Sequence, residues 1–276
     1  MSKIKIADFS SSQFELFASY LKWMTQKHGL DLEIVKKDEF SFENLTDFNS
    51  AIIGIEDSEV AQIGFSPAQV RELGVFDCLF FEDQRWYPRL IYYEALRQVL
   101  VAEARGLEIR YPAFVAGDGP QVRIILAILS ELGISHIYLV GEEKKLVQEV
   151  ISIQKTRLGL NLKIMKSDDL ISQSLQAGLV INTLDFQKYP SVLADLSYFN
   201  FLKQGGYVVD LNLLPVKNLF LDEAVRADLR IIKPTDFWAR KAQLFFTKLN
   251  IENQFSAEFL KLNLEEFLNQ KFQLSS

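Results

Sequence analysis

The 276-residue sequence has one cysteine, Cys78, and two histidines, His28 and His136. A single thiol excludes an internal disulfide framework and a cysteine-rich metal site, and it fits a reducing cytoplasm. Two histidines cannot build a histidine-rich metal centre, and the acids Asp57, Glu59, Glu82 and Asp83 read as ordinary surface carboxylates. Long apolar stretches are missing too. Runs such as Val122–Leu129 fall far short of a membrane span, and Met1–Asp8 leads into a polar Ser10-Ser11-Ser12 cluster rather than a signal peptide. Excess positive charge is also lacking: 30 Lys and Arg against 36 Asp and Glu give a formal net charge of -6, which argues against nucleic-acid and membrane partners. No nucleophile elbow, phosphate-binding lysine loop, internal repeat or low-complexity tail occurs. A cytoplasmic protein, monomeric or homodimeric, with a small-molecule ligand is the expectation.

Hydrophobic residues make up 49% of the chain and charged residues 24%, enough for one large core or two modest ones. The periodicity favours two. Lys3–Ala7 and Leu32–Lys36 alternate as strands, Phe14–Lys27 carries apolar residues at helical spacing, and Ala51–Ile55 is a buried strand. Asp77–Phe81 and Arg85–Tyr87 form a hairpin about Glu82-Asp83-Gln84, followed by a helix over Tyr92–Arg105 ending at Gly106. After Pro112 the rhythm becomes strand–helix–strand: strands at Ala113–Ala116, His136–Val140, Leu162–Met165, Leu179–Thr183 and Gly206–Leu211. Helices alternate with them at Gln121–Leu132, Glu143–Thr156 and Ser167–Gln176, the order of a doubly wound parallel sheet. Amphipathic helices at Asp236–Leu249 and Glu258–Leu268 close the chain.

The stretch Val115-Ala116-Gly117-Asp118-Gly119-Pro120-Gln121-Val122 follows a strand and opens a helix, the setting a dinucleotide-binding turn requires. Gly117 would make the tight turn, and Gly119 would let a pyrophosphate approach the helix N-terminus. Val122 stands where a small residue usually permits close packing, and Asp118 adds a negative charge. Pro120 suits a first helical turn. The alternative is a turn that only closes a strand–helix unit. Glu142, after the second strand, could accept hydrogen bonds from both ribose hydroxyls and would repel a 2′-phosphate, favouring NAD over NADP, with Lys144 and Lys145 softening that preference. It could equally be an acidic residue at a solvated helix start.

Taken in order, these segments resemble the shikimate dehydrogenase family over nearly the whole chain. The turn at Val115–Leu132 is similar to that family's cofactor turn, and Leu179-Val180-Ile181-Asn182-Thr183 resembles its "LVINAT" strand. The segment "YVVDLNLLPVKNLFL" resembles "vxDvvYnPxxTxLL", with Asp210 and Pro215 in place, and "LGVFDCLFFEDQRWY" is similar to "iGAvNTxvxxdGxxx". The resemblance implies two α/β domains: an N-terminal substrate-type domain (1–105 plus 237–276) and a doubly wound Rossmann NAD(P)-binding domain (106–236). It also implies a substrate cleft between them and NAD(P)-dependent interconversion of a shikimate-type hydroxy acid and its ketone, a step in aromatic amino acid biosynthesis.

The departures fall on the chemistry. The family's lysine follows an "NVTxPxK" loop, which Gly54–Phe65 does not contain, and Glu56 stands near the lysine's place. The aspartate of "NTD" has no counterpart in Leu90-Ile91-Tyr92, and "NT" becomes Asp77-Cys78. Leu213 replaces a tyrosine, Lys241 the glutamine of "MLxxQ", and Glu142 the arginine of "NRT". Ser10 and Ser12 match the serines of "SxSPxxHN", and they also suit helix capping. Candidate cofactor residues are therefore Gly117, Asp118, Gly119, Pro120, Gln121, Glu142 and Thr183. Candidate substrate residues are Ser10, Ser12, Asp77 and Lys241, and candidate catalytic groups Lys241 and Tyr92. Loss of a positioned acid–base costs about 10²–10⁴ in rate, so efficient shikimate oxidation is not expected. Three readings remain: a divergent oxidoreductase, an inactive nucleotide- or metabolite-binding relative, and a structural protein that holds no cofactor.

Overall fold

The computed structural model describes residues 3–57, 66–117, 119–154, 159–172, 176–214, 219–251 and 255–272. Asp118, Thr156, Pro215, the side chain of Ser12, and most of the segment 54–65 lie outside the described residues. In chain order the elements are β1 (Ile4–Asp8), α1 (Ser12–His28), β2 (Leu32–Lys36), β3 (Ser50–Asp57), α2 (Ala68–Leu73), β4 (Val75–Glu82), β5 (Arg85–Arg89) and α3 (Ile91–Glu103). There follow β6 (Ala113–Ala116), α4 (Pro120–Glu131), β7 (His136–Val140), α5 (Glu143–Gln154), β8 (Asn161–Met165) and β9 (Ala177–Asn182). The chain continues through α6 (Pro190–Leu196), β10 (Leu202–Asp210), α7 (Leu219–Arg226), β11 (Arg230–Ile232), α8 (Pro234–Lys248) and α9 (Ala257–Phe272). Ser167–Ser172, expected as a helix reaching Gln176, forms a 3-10 turn. The contacts divide the chain into Met1–Ala95 with Trp238–Ser276, and Leu96–Phe237, so the first unit is discontinuous and its limits fall inside α3 and α8.

The first unit holds a five-stranded sheet in the order β2-β1-β3-β4-β5. β1 pairs parallel with β2 and β3, whereas β3, β4 and β5 run antiparallel. Asp83 and Gln84 both take positive φ, 47° and 60°, the backbone a two-residue hairpin turn needs between twisted strands. α1 buries Phe17, Tyr20, Leu21 and Met24, a stripe at the helical repeat, and Tyr20 donates its hydroxyl to the Leu260 carbonyl of α9 at 2.7 Å. Gly29, at φ 62°, ends α1 in the left-handed conformation that glycine adopts without strain.

The second unit is a six-stranded parallel sheet in the order β11-β10-β9-β6-β7-β8. The order reverses between β6 and β9, which places a crevice beyond their C-terminal ends. α4 is buried from Val122 to Leu129, including Arg123, which forms a 2.5 Å ion pair with Glu149 of α5. Phe114 stacks on Tyr138 at 5.0 Å and tilts against Phe201 at 4.6 Å, anchoring the sheet's inner strands. Among the described residues no helix is long and apolar enough to cross a membrane, and no cluster of His, Cys, Asp and Glu is set to hold a metal.

Candidate functional site

In the second unit, backbone bonds tie the strand ends into a rim. Gly117 donates its N–H to the Val140 carbonyl at 3.0 Å, and the Ala116 carbonyl accepts from the Thr183 N–H (2.8 Å) and hydroxyl (3.0 Å). Gly117 is forced by packing: a Cβ there would stand 2.6 Å from both Thr183 Oγ1 and Val122 Cγ2. Val122 therefore fits against the turn because residue 117 has no side chain. Gly141 is similarly held, since a Cβ would meet the Gly117 carbonyl oxygen at 2.2 Å. Gly119 differs. It is the extended N-cap of α4, Pro120 opens the helix, and a Cβ at Gly119 would meet nothing within 4 Å. Open space thus lies at the start of α4, where unsatisfied N–H groups and the helix dipole favour an anion. Gln121 sits in the same first turn, half-buried.

Glu142 follows β7 beside this rim and pairs with Lys145 at 3.0 Å, both side chains a little under half exposed. Lys145 Nζ also reaches the Tyr189 hydroxyl at 3.5 Å. The structure thus gathers Gly117, Gly119, Pro120, Gln121, Glu142 and Thr183 at the ends of β6, β7 and β9. Behind Thr183 lies a polar network that sequence reasoning passed over as strand resemblance. Asp210 Oδ1 accepts from Asn182 Nδ2 (3.2 Å), the Asn212 N–H (3.1 Å) and Asn212 Nδ2 (2.9 Å), all three residues being buried. Asn182 Oδ1 accepts from the Leu184 N–H at 3.0 Å. These bonds satisfy buried polar groups and fix the chain where it leaves β9 and β10.

In the first unit each described polar candidate is engaged internally. Ser10 is 3% exposed and directs both its N–H (2.9 Å) and its hydroxyl to Asp8 Oδ1. Lys36 donates to the Ser10 carbonyl and lies 3.7 Å from Asp8. Asp77, on β4, accepts the first N–H groups of α3, Ile91 at 2.7 Å and Tyr92 at 3.0 Å, so a carboxylate from another element caps that helix. Its Oδ2 also lies 2.8 Å from Lys241 Nζ of α8, with both side chains at 0% exposure. The ammonium is off the hydrogen-bonding direction, so the contact is an ion pair. Four rings enclose it: Phe14, Phe17, Trp238 and Tyr92, with centroids 4.1, 4.9, 5.2 and 5.9 Å from Nζ. A cation against aromatic faces is stabilised by the ring quadrupoles, and more strongly when desolvated. Tyr92 is 1% exposed and packs on Phe14 and Trp238. Burial, reinforced by the neighbouring Asp77 charge, holds the Cys78 thiol well above its ordinary range despite the opposing Lys241.

The chain combines a doubly wound parallel unit, with a glycine turn at its switch point, and a mixed α/β unit, an open α/β architecture. No family model and no curated protein matches the chain. Solved structures do. The fold is that of the shikimate and quinate dehydrogenases. Shikimate 5-dehydrogenase from Listeria monocytogenes, in complex with shikimate and NAD, superposes with a TM-score of 0.74 at 11% identity over 95% of each chain. Quinate dehydrogenase from Corynebacterium glutamicum, in complex with NAD, gives 0.75 at 9% identity over 96% of this chain and 99% of that one. The Thermus thermophilus enzyme, in complex with NADP(H) and shikimate, gives 0.69 at 14% identity over 96% and 100%.

Proposed function

We propose that this chain is a divergent shikimate dehydrogenase-like protein that keeps a nicotinamide-dinucleotide crevice and does not oxidise shikimate efficiently. The single observation that carries the reading is the closed Lys241–Asp77 pair inside its four rings.

Support for the cofactor comes from the second unit. The residues present fit a dinucleotide: a Cβ at Gly119 would meet nothing within 4 Å, which leaves the start of α4 open to a ligand. On this reading the first turn of α4 holds the pyrophosphate and Glu142 accepts the ribose hydroxyls, favouring NAD; Lys145 partly offsets its charge. Nicotinamide, when bound, would supply hydride chemistry. The protein's share of that chemistry would be a group that takes the hydroxyl proton within hydrogen-bond reach. The candidates Lys241 and Tyr92 are 0% and 1% exposed, the Ser10 hydroxyl proton is given to Asp8, and each Asp77 oxygen already accepts an N–H of α3. These observations favour a nucleotide-binding relative without family turnover over an oxidoreductase acting on another hydroxy acid.

Fluorescence titration with NADH and NADPH, followed by a turnover screen with shikimate and quinate, tests this directly. Saturable dinucleotide binding without turnover is expected. Efficient shikimate oxidation would overturn the proposal, and failure to bind either dinucleotide would leave only the structural reading.

A further inference from the structure

The first unit has a cavity of about 460 Å³, lined by Ile4, Asn49, Phe80, Glu82, Lys248 and Asn250 among others. That volume falls within the roughly 300–1,000 Å³ of small-molecule sites. It lies where β1 and β3 begin and β4 ends, whereas Asp8 and Ser10 follow the opposite end of β1. It is therefore separate from Asp8 and Ser10.

We infer that this cavity binds an apolar α-amino acid as its zwitterion. Three features of the lining converge on that chemistry. The apolar part of the lining comes from Ile4, Phe80, Leu249 and Phe81, the last 46% exposed to solvent. Two opposite charges reach the lining without being matched to each other. Glu82 gives one oxygen to Arg89 at 3.1 Å, and Lys248 has no ion-pair partner among the described residues. The carboxylate, together with the C-terminal end of α8, suits an ammonium, and Lys248 suits a carboxylate. The third feature is spare hydrogen-bonding capacity. Asn49 is oriented by the Lys5 N–H on its Oδ1 at 2.8 Å, which leaves its NH₂ to donate.

The test is calorimetric titration of the full chain with L-phenylalanine and L-leucine, with 3-phenylpropanoate and 2-phenylethylamine as analogues lacking one charge each. Saturable binding of an amino acid is expected, with each single-charge analogue roughly two- to fivefold weaker, the scale of one partly exposed ion pair. Glu82→Gln and Lys248→Met, both at solvent-accessible positions, should each weaken the amino acid by a similar factor and leave the circular dichroism unchanged. NADH titration of the same variants serves as an independent check of integrity. Absence of amino-acid binding, equal binding of the analogues, or indifference to both substitutions would overturn the proposal.

Discussion

Lys241 Nζ stands 2.8 Å from Asp77 Oδ2, and neither side chain touches water. The two residues come from β4 and from α8, the segment that returns to the first unit after the second is complete. Each charge is costly to bury alone, and Asp77 is further committed to the start of α3. The pair therefore couples the helix start to the returning helix.

Lys241→Met should destabilise the protein by about 3–5 kcal/mol, because it strands a buried carboxylate. Combining Lys241→Gln with Asp77→Asn should cost clearly less than the sum of the single changes, since no charge is left unpaired and the asparagine oxygen still accepts one of the two α3 N–H groups. Urea unfolding of the wild type, Lys241→Gln, Asp77→Asn and the double variant, with Lys241→Met alongside, measures this. Additive losses would show that the two charges do not interact.

The glycine rim yields a contrast between neighbours. Gly117→Ala should cost about 1–3 kcal/mol by overpacking, because its Cβ would press on Thr183 and Val122 at 2.6 Å. Gly119→Val should leave the melting temperature nearly unchanged, since the position is extended and faces open space, yet abolish NADH binding by filling that space. Thermal melts and NADH fluorescence on the same samples separate the two effects.

Glu142→Arg should shift the preference between NADPH and NADH by roughly tenfold toward NADPH, equivalent to about 1.4 kcal/mol. The substitution removes a carboxylate that would repel a 2′-phosphate and supplies a guanidinium that can pair with it. Competitive titration checks the ratio, and an unchanged ratio would place the ribose elsewhere.

Cys78 should resist thiol reagents in the folded protein and react at an ordinary rate in denaturant, because the buried thiol stays protonated where an exposed one ionises. The sign of its effect on stability follows. Its contribution is intact below the ordinary thiol value of 9.0 and is lost as pH rises above it, since only the unfolded chain then releases the proton. Cys78→Ala should remove that alkaline loss, as urea midpoints at pH 8 and pH 10 would reveal.

Much of the framework was legible where the pattern was strong. Leu32–Lys36, Ala113–Ala116 and His136–Val140 form strands over the spans their periodicity predicts. The start of β10 was not: it begins at Leu202 rather than Gly206, because the strand crosses a register irregularity and the left-handed Gly205. β11 has three residues and α2 six, too short to establish a period. Lys241 and Asp77 stand at ligand-contact positions of the family resemblance, and the ion pair between them is not visible in the sequence because it joins elements remote in the chain. One signal was present in α8. Phe237, Trp238, Lys241, Ala242 and Phe245 recur at helical spacing, so the lysine occupies the apolar stripe rather than the wet face.

The discontinuity of the first unit has a bearing on biogenesis. A nascent chain emerges N-terminus first, and Asp77 leaves the ribosome long before Lys241 is synthesised. Throughout that interval the carboxylate has no cation beside it and the rings of Phe14, Phe17 and Tyr92 have no lysine to enclose. The second unit, continuous from residue 96 to residue 237, has all its strands in hand before α8 is translated. Assembly in the cell should accordingly run from the middle of the polypeptide outward, with the opening hundred residues waiting for the last forty.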